Sequence, residues 1–252
     1  MLAESDSIFP FSSATTILDI GYGPGQVTNL LLKTYGTALP EHATIIAGDI
    51  SPVMLDEIEK RKTQLLATDP SSQWKKVRSM LCNVQDMSEI PDRFISRVTA
   101  GLVLFFLPNV QDTMKEIKRV LMPGGVISFS AWKRGDWINV TGFVKVVRPD
   151  FTMLDFDPAW SSSDSVREIL ETSRFENIDA HYVESEWEYE SPEKIVDYLF
   201  AFPGLQQLMN SWKTKEIEEV KSRGIAYLKE KYGSGHGFMK GTAVVGVSRK
   251  EA

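Results

Sequence analysis

The chain of 252 residues has one cysteine, Cys82, and three histidines. A single thiol excludes internal disulfides and any metal centre built from several cysteines, and no metal site is expected. Apolar runs are short: the longest, residues 98–108, falls well below the roughly 20 residues that a membrane-spanning helix needs. No basic run exceeds Lys60-Arg61-Lys62 and the formal net charge is −6, which excludes a nucleic-acid backbone as the main partner. The N-terminus, MLAESDSIFPFSS, carries acids where a secretory leader has basic residues and then an apolar stretch. A cytoplasmic location is expected. Internal repeats and low-complexity stretches are also absent. What is present is an ordinary globular composition, 42% hydrophobic and 25% charged, which leaves a small molecule or a protein as partner.

Residues 1–132 alternate strand-like and helix-like segments, the pattern of a parallel sheet with helices on both faces. Strands are predicted at 16–20, 44–47, 77–82, 98–105 and 126–132. Ser51-Pro52 reads as the cap and first residue of a helix. Met114, Ile117 and Leu121 recur at helical spacing, with Pro123-Gly124-Gly125 as the stop. Residues 133–162 show no clear period. Ser165 to Glu168 read as a capping box opening a helix, residues 178–186 as a sixth strand, Ser191-Pro192 as the start of helical material that breaks near Pro203-Gly204, and 241–249 as a final strand.

Between the first predicted strand and its helix, LDIGYGPGQVT (residues 18–28) places glycines at 21, 23 and 25. Such a turn lets a ligand lie against bare backbone. The dinucleotide fingerprint requires glycine where Gln26 stands, and the phosphate-loop pattern lacks its Gly-Lys-Ser/Thr, so neither nucleotide reading fits. Asp49, at the end of the second strand, offers a carboxylate able to accept from both hydroxyls of a ribose. Alone, it is equally a polar residue leaving a strand.

Asp19-x-Gly21-x-Gly23-x-Gly25 resembles motif I of the class I methyltransferases that use S-adenosylmethionine. Asp49 matches the ribose-binding acid of that family. Asn83-Val84 fall where its adenine contacts lie, with asparagine replacing the usual aspartate. Gly101-Leu102 and the following Val103 to Asn109 look like its fourth-strand motif, and Arg119 to Gly125 match its segment before strand five. The resemblance spans residues 17–132.

It implies an α/β fold: a Rossmann-like sheet of seven strands, mostly parallel with the last antiparallel, and helices on both faces. A single domain over 1–252 is expected, with 1–132 as cofactor-binding half, 133–240 as an aromatic-rich substrate or lid elaboration, and 241–249 as final strand. The implied cofactor is S-adenosyl-L-methionine, held by Asp19, Gly21, Tyr22, Gly23, Gly25, Asp49, Ile50, Asn83, Val84, Gly101 and Leu102. In this reading Asp19 orders the glycine turn and adds negative potential near the cationic cofactor, Ile50 packs on the adenine, and Tyr22 faces the reacting centre. The family also has helices before strand one, and none is predicted in residues 1–15.

Half of the chain's aromatic residues lie between Trp137 and Trp212, which fits either an apolar lid over the methyl group or a second small core. A small, largely apolar methyl acceptor is expected, as in quinone-biosynthesis and secondary-metabolite enzymes. Phe105 and Phe106 bring no acid or base. A base is needed only if the acceptor must lose a proton, so no catalytic residue is assigned; His236 is the best histidine candidate, with His42 and His181 structural or exposed. Two other functions remain open: non-methylating chemistry, a cyclisation or isomerisation, in the same pocket, or a non-catalytic binding subunit.

Overall fold

The computed structural model describes residues 1–151, 157–201 and 203–252. Part of the 133–162 segment and two of the counted aromatics, Phe156 and Phe202, lie outside the described residues. The elements in chain order are α1 (Leu2–Ile8), β1 (Thr16–Ile20), α2 (Gln26–Tyr35), β2 (Thr44–Asp49), α3 (Pro52–Thr68), β3 (Val77–Leu81), β4 (Ile95–Gly101), α4 (Val110–Val120), β5 (Leu121–Gly135), α5 (Asp136–Val147), α6 (Ser163–Thr172), β6 (Phe175–Tyr189), α7 (Pro192–Phe200), α8 (Pro203–Leu208), α9 (Thr214–Tyr232) and β7 (Gly237–Lys250). The strands form one sheet in the order β3-β2-β1-β4-β5-β7-β6, with β7 antiparallel. β1 pairs in parallel with β2 and with β4, β2 with β3, and β4 with β5.

The expected α/β sheet is therefore present, and its strand order reverses between β1 and β4. In open parallel sheets, ligands bind beyond the carboxyl ends of the strands at such a reversal. β1 is buried at every position, as a central strand covered on both faces must be. α4 shows why a mostly polar segment folds as a helix here: Met114, Ile117 and Val120 bury one stripe, and Asn109 Oδ1 accepts the Asp112 N–H at 3.0 Å as N-cap.

Several boundaries differ from the sequence reading. The fourth strand stops at Gly101 instead of continuing to 105: Leu102 adopts φ +56, and the chain turns out of the extended run there into the short helical turn over Leu104–Phe106. α4 ends at Val120, and Leu121 together with the Pro-Gly-Gly segment belongs to β5. The cap of α6 is Ser162, whose hydroxyl accepts the Ser165 N–H at 3.0 Å, so the predicted box lies three residues late. The stretch without clear period contains α5, whose buried residues include Trp137, Val140 and Val144. α1, unforeseen, precedes the sheet. Arg97, 1% exposed in β4, ties it down by donating to the Phe9 carbonyl and the Ser5 hydroxyl while its guanidinium stacks over Phe11.

The chain divides into two compact units. The first comprises residues 1–131, 157–182 and 244–252, and its core includes Phe11, Ile17, Leu31, Ile45, Ile58 and Trp74. The second comprises 132–156 and 183–243. Trp137, Tyr189, Phe200 and Trp212 are buried in its core, with α9 packed on α5 and α7. Most of the aromatic excess in this unit is thus spent on a core of its own, while Tyr198 and Phe238 stay exposed.

Candidate functional site

The site lies in the first unit, where β1, β2 and β4 end. The loop from β1 to α2 turns on three left-handed glycines, Gly21 (φ +62), Gly23 (φ +51) and Gly25 (φ +77), a backbone that side chains strongly disfavour. The three are glycine for different reasons. A Cβ on Gly21 would come within 2.7 Å of the Val103 Cβ, and one on Gly25 within 2.7 Å of Tyr22 Cε1. A Cβ on Gly23 would meet only the Gly21 carbonyl oxygen, 3.8 Å away. The protein itself crowds the first and last glycines; the middle one presents bare backbone to open space.

Asp49 turns its carboxylate onto that middle glycine. Oδ2 accepts the Gly23 N–H at 2.9 Å and Oδ1 accepts the Ser51 N–H at 2.9 Å. Asp49 is buried, yet a carboxylate has about four acceptor positions, so two remain for a ligand. The loop is held from the other side by Arg61 of α3, whose Nη1 donates to the Pro24 carbonyl at 2.6 Å, and the Tyr22 N–H donates to the Gly48 carbonyl at 3.1 Å.

Asp19, at the end of β1, does not bond to the glycine turn as expected. It is buried between α2 and β4, accepting from Thr28 Oγ1 at 2.6 Å and from Thr99 Oγ1 at 3.0 Å. Burial, only partly countered by these hydroxyls, pushes its carboxyl up to about 6. Tyr22 also departs from expectation: its ring turns inward against Gly25, and burial, only partly countered by Arg61, raises the phenol to about 12. It braces the loop instead of facing a reactant.

The remaining expected residues lie at or just beyond the ends of β2, β3 and β4. Ile50, next to Asp49, is 68% exposed. Gly101 closes β4, where a Cβ would come 2.5 Å from Val27 Cγ2 of α2. Leu102, left-handed, donates its N–H to the Ser130 carbonyl at 3.0 Å, which holds a conformation costly for a branched side chain. Asn83 caps its own turn, Oδ1 accepting the Gln85 N–H at 3.1 Å, and Val84 is buried. Phe105 is buried and Phe106 is 41% exposed just beyond β4.

No histidine stands at the loop: His42 is exposed, His181 pairs with Asp179, and His236 pairs with Glu188 in the second unit. Among the described residues no cluster suits a metal ion, and no helix is long and apolar enough to cross a membrane. Thr28, Thr99 and Val103 were missed from sequence. The signal for Thr99 was a lone hydroxyl inside the apolar run 98–108, directly opposite Asp19 in the β1–β4 register.

Residues 18–129 match the family model of a methyltransferase domain. The chain is 30% identical over 242 residues to the methyltransferase ucsB of Acremonium, covering 96% of this chain and 84% of that one. It is 23% identical to the methyltransferase tpcH of Aspergillus fumigatus, covering 99% and 90%. A solved structure of a putative methyltransferase from Bacillus halodurans superposes with a TM-score of 0.61 at 18% identity, covering 100% of this chain and 99% of that one.

Proposed function

The chain belongs to the class I methyltransferases that depend on S-adenosyl-L-methionine, and from this premise we propose that it methylates a small, largely apolar molecule of the secondary-metabolite or quinone type. One observation carries the site: the Asp49 carboxylate and the bare backbone of Gly23 face one another through a 2.9 Å hydrogen bond. S-adenosyl-L-methionine, when bound, supplies a methyl group on a sulfonium, a leaving group already activated. The protein's work is then to bind, align and exclude water.

The two unused acceptor positions of Asp49 suit the vicinal hydroxyls of a ribose. The open backbone at Gly23 suits the amino-acid arm, and Ile50 offers an aliphatic surface for the adenine, flanked by Asn83 and Val84. Gly21 and Gly25, crowded by Val103 and Tyr22, shape the ledge instead of touching the ligand. Gly101 and Leu102 form the wall at the end of β4. Asp19 acts through its charge from behind the ledge. Residues 1–132 serve the cofactor in this reading, and residues 133–240 serve the acceptor. Phe106, exposed beyond β4, favours an apolar acceptor.

The test is incubation with methyl-labelled S-adenosyl-L-methionine and a panel of planar, apolar phenols, thiols and quinols. Label in a panel product supports the reading. Cofactor binding without label transfer to any of them, or transfer only to polar amines, counts against it.

A further inference from the structure

On α3, Glu57 pairs with Lys60 and Glu59 accepts the Ser79 hydroxyl. Arg61 of the same helix is spent differently. Among the described residues no carboxylate pairs with it. Its Nη1 donates to the Pro24 carbonyl at 2.6 Å, and its guanidinium lies 5.5 Å from the centre of the Trp74 ring. Trp74 is buried in the core of the first unit and gives the cation a fixed surface to rest on. The guanidinium also bears on the Tyr22 phenol, against the rise that burial causes.

Tyr22 and Pro24 stand on either side of Gly23, whose N–H is taken by Asp49 at 2.9 Å. The middle glycine is therefore gripped in both directions along the chain, its own N–H by a carboxylate and the next residue's carbonyl by a cation. Both grips lead back to α3, because Asp49 also accepts the N–H of Ser51, the N-cap of that helix. The grip has work to do. Gly23 has φ +51, a conformation glycine can adopt but has no preference to keep, and a residue before proline is drawn to extended backbone instead. Pro24 has no N–H with which to fix the turn from its own side. One turn bond, from the Gly25 N–H to the Tyr22 carbonyl at 2.9 Å, spans the two residues from inside the loop.

We propose that Arg61 is a positioning residue for the cofactor: by holding the Pro24 carbonyl while Asp49 holds the Gly23 N–H, it keeps the open backbone at Gly23 in its ligand-ready form before the ligand arrives. This rests on the cofactor reading of the same loop. Arg61 touches no reacting atom. Its effect is on the ordering cost of binding, which a loop already fixed in the bound form does not incur.

The experiment is calorimetric titration of the full chain with S-adenosyl-L-methionine, beside thermal melts and amide exchange of the free protein, for wild type, Arg61→Met and Arg61→Lys. Arg61→Met keeps an aliphatic stem over Trp74 but loses the charge and the donors. We expect its affinity to fall on the order of tenfold, the factor for ordering about one residue, through a less favourable binding entropy. Amide exchange at Gly23 and Gly25 should quicken severalfold, while the melting temperature moves by roughly 2–4 °C at most. Arg61→Lys keeps one flexible donor and should recover part of the affinity. It also decides the matter should Arg61→Met fold poorly. A lowered melting temperature with unchanged affinity would make the clasp purely structural and overturn the proposal. Weaker binding without faster exchange overturns it too, since Arg61 would then be touching the ligand itself. Wild type that binds neither S-adenosyl-L-methionine nor S-adenosylhomocysteine overturns the cofactor reading, and this inference with it; wild type that binds no better than Arg61→Met overturns this inference alone.

Discussion

Val103 lies over Gly21, so that a Cβ on the glycine would stand 2.7 Å from the Cβ of the valine. This contact joins the end of β4 to the loop after β1 and answers part of why that loop is so rich in glycine. Tyr22 does the same for Gly25 from within the loop. Neither crowding atom belongs to a ligand, so the three glycines should separate by experiment. Gly21→Ala adds overpacking to a left-handed penalty and should cost about 3 kcal/mol of stability. Gly23→Ala meets no crowding and should cost only the left-handed penalty of about 1 kcal/mol, while weakening cofactor binding the most per unit of stability lost. Thermal melts and cofactor titrations on Gly21→Ala, Gly23→Ala and Gly25→Ala check this. Equal destabilisation by all three would contradict the assignment of Gly23 to the ligand.

Asp49 makes a second separation possible. Its two oxygens accept the Gly23 and Ser51 N–H groups, and both donors lose their acceptor in Asp49→Ala. A loss of about 1–2 kcal/mol is expected, with cofactor affinity falling by at least about tenfold because charge-assisted bonds to the ribose go too. Asp49→Asn keeps one acceptor oxygen and should retain most of the stability but not the affinity. Chemical denaturation beside calorimetry separates the two effects.

Much of this loop was legible from sequence because the glycines, Asp49 and the Arg119 to Gly125 segment stand in register, although a glycine turn or an aspartate at a strand end is unspecific by itself. Which way the side chains turn was not. Tyr22 reads as facing the reacting centre, yet its ring is buried against Gly25, where the missing Cβ leaves it room. Asp19 reads as a loop organiser, but Thr99 opposite it in the register draws the carboxylate into the sheet's interior. The fourth strand ran on in the apolar pattern past Gly101 because nothing in Leu102-Val103 announces a left-handed leucine. The aromatic excess after residue 136 was visible, but only packing showed that Trp137, Tyr189 and Trp212 close a core of their own.

In the second unit, Asp136 is 2% exposed and accepts four donors, from Tyr227 Oη, Lys231 Nζ, Tyr232 Oη and the Lys240 N–H. Burial would raise its carboxyl, but the bonds from Lys231, Tyr232, Lys240 and Tyr227 outweigh burial and hold it below the usual carboxylate range. A lowered acid stabilises the fold above its unfolded titration, near pH 4, and the contribution is lost as pH falls through the folded value. Asp136→Asn should therefore cost about 2–3 kcal/mol at pH 7, with the gap from wild type narrowing in urea melts below about pH 4. A gap unchanged at low pH would show that packing, not charge, holds this cluster.

Asp19 carries the opposite sign. Its folded carboxyl titrates at about 6 against an ordinary 3.8, so between those values the folded state holds a proton that the unfolded chain has released. Stability from this group is full below about pH 4, declines as pH rises, and is gone above about pH 6. Asparagine has no proton to lose, and its amide can still bond to the hydroxyls of Thr28 and Thr99. Asp19→Asn should therefore be more stable than wild type at pH 7.5, by up to about 3 kcal/mol for a two-unit displacement, with the two curves converging near pH 4. Denaturation of both proteins across pH 4–8 without cofactor measures this directly. Saturating wild type with S-adenosyl-L-methionine should recover much of the gap, since binding to the folded state alone adds stability. A variant no more stable than wild type at pH 7.5 would mean that the Asp19 carboxyl is already neutral in the free protein at that pH.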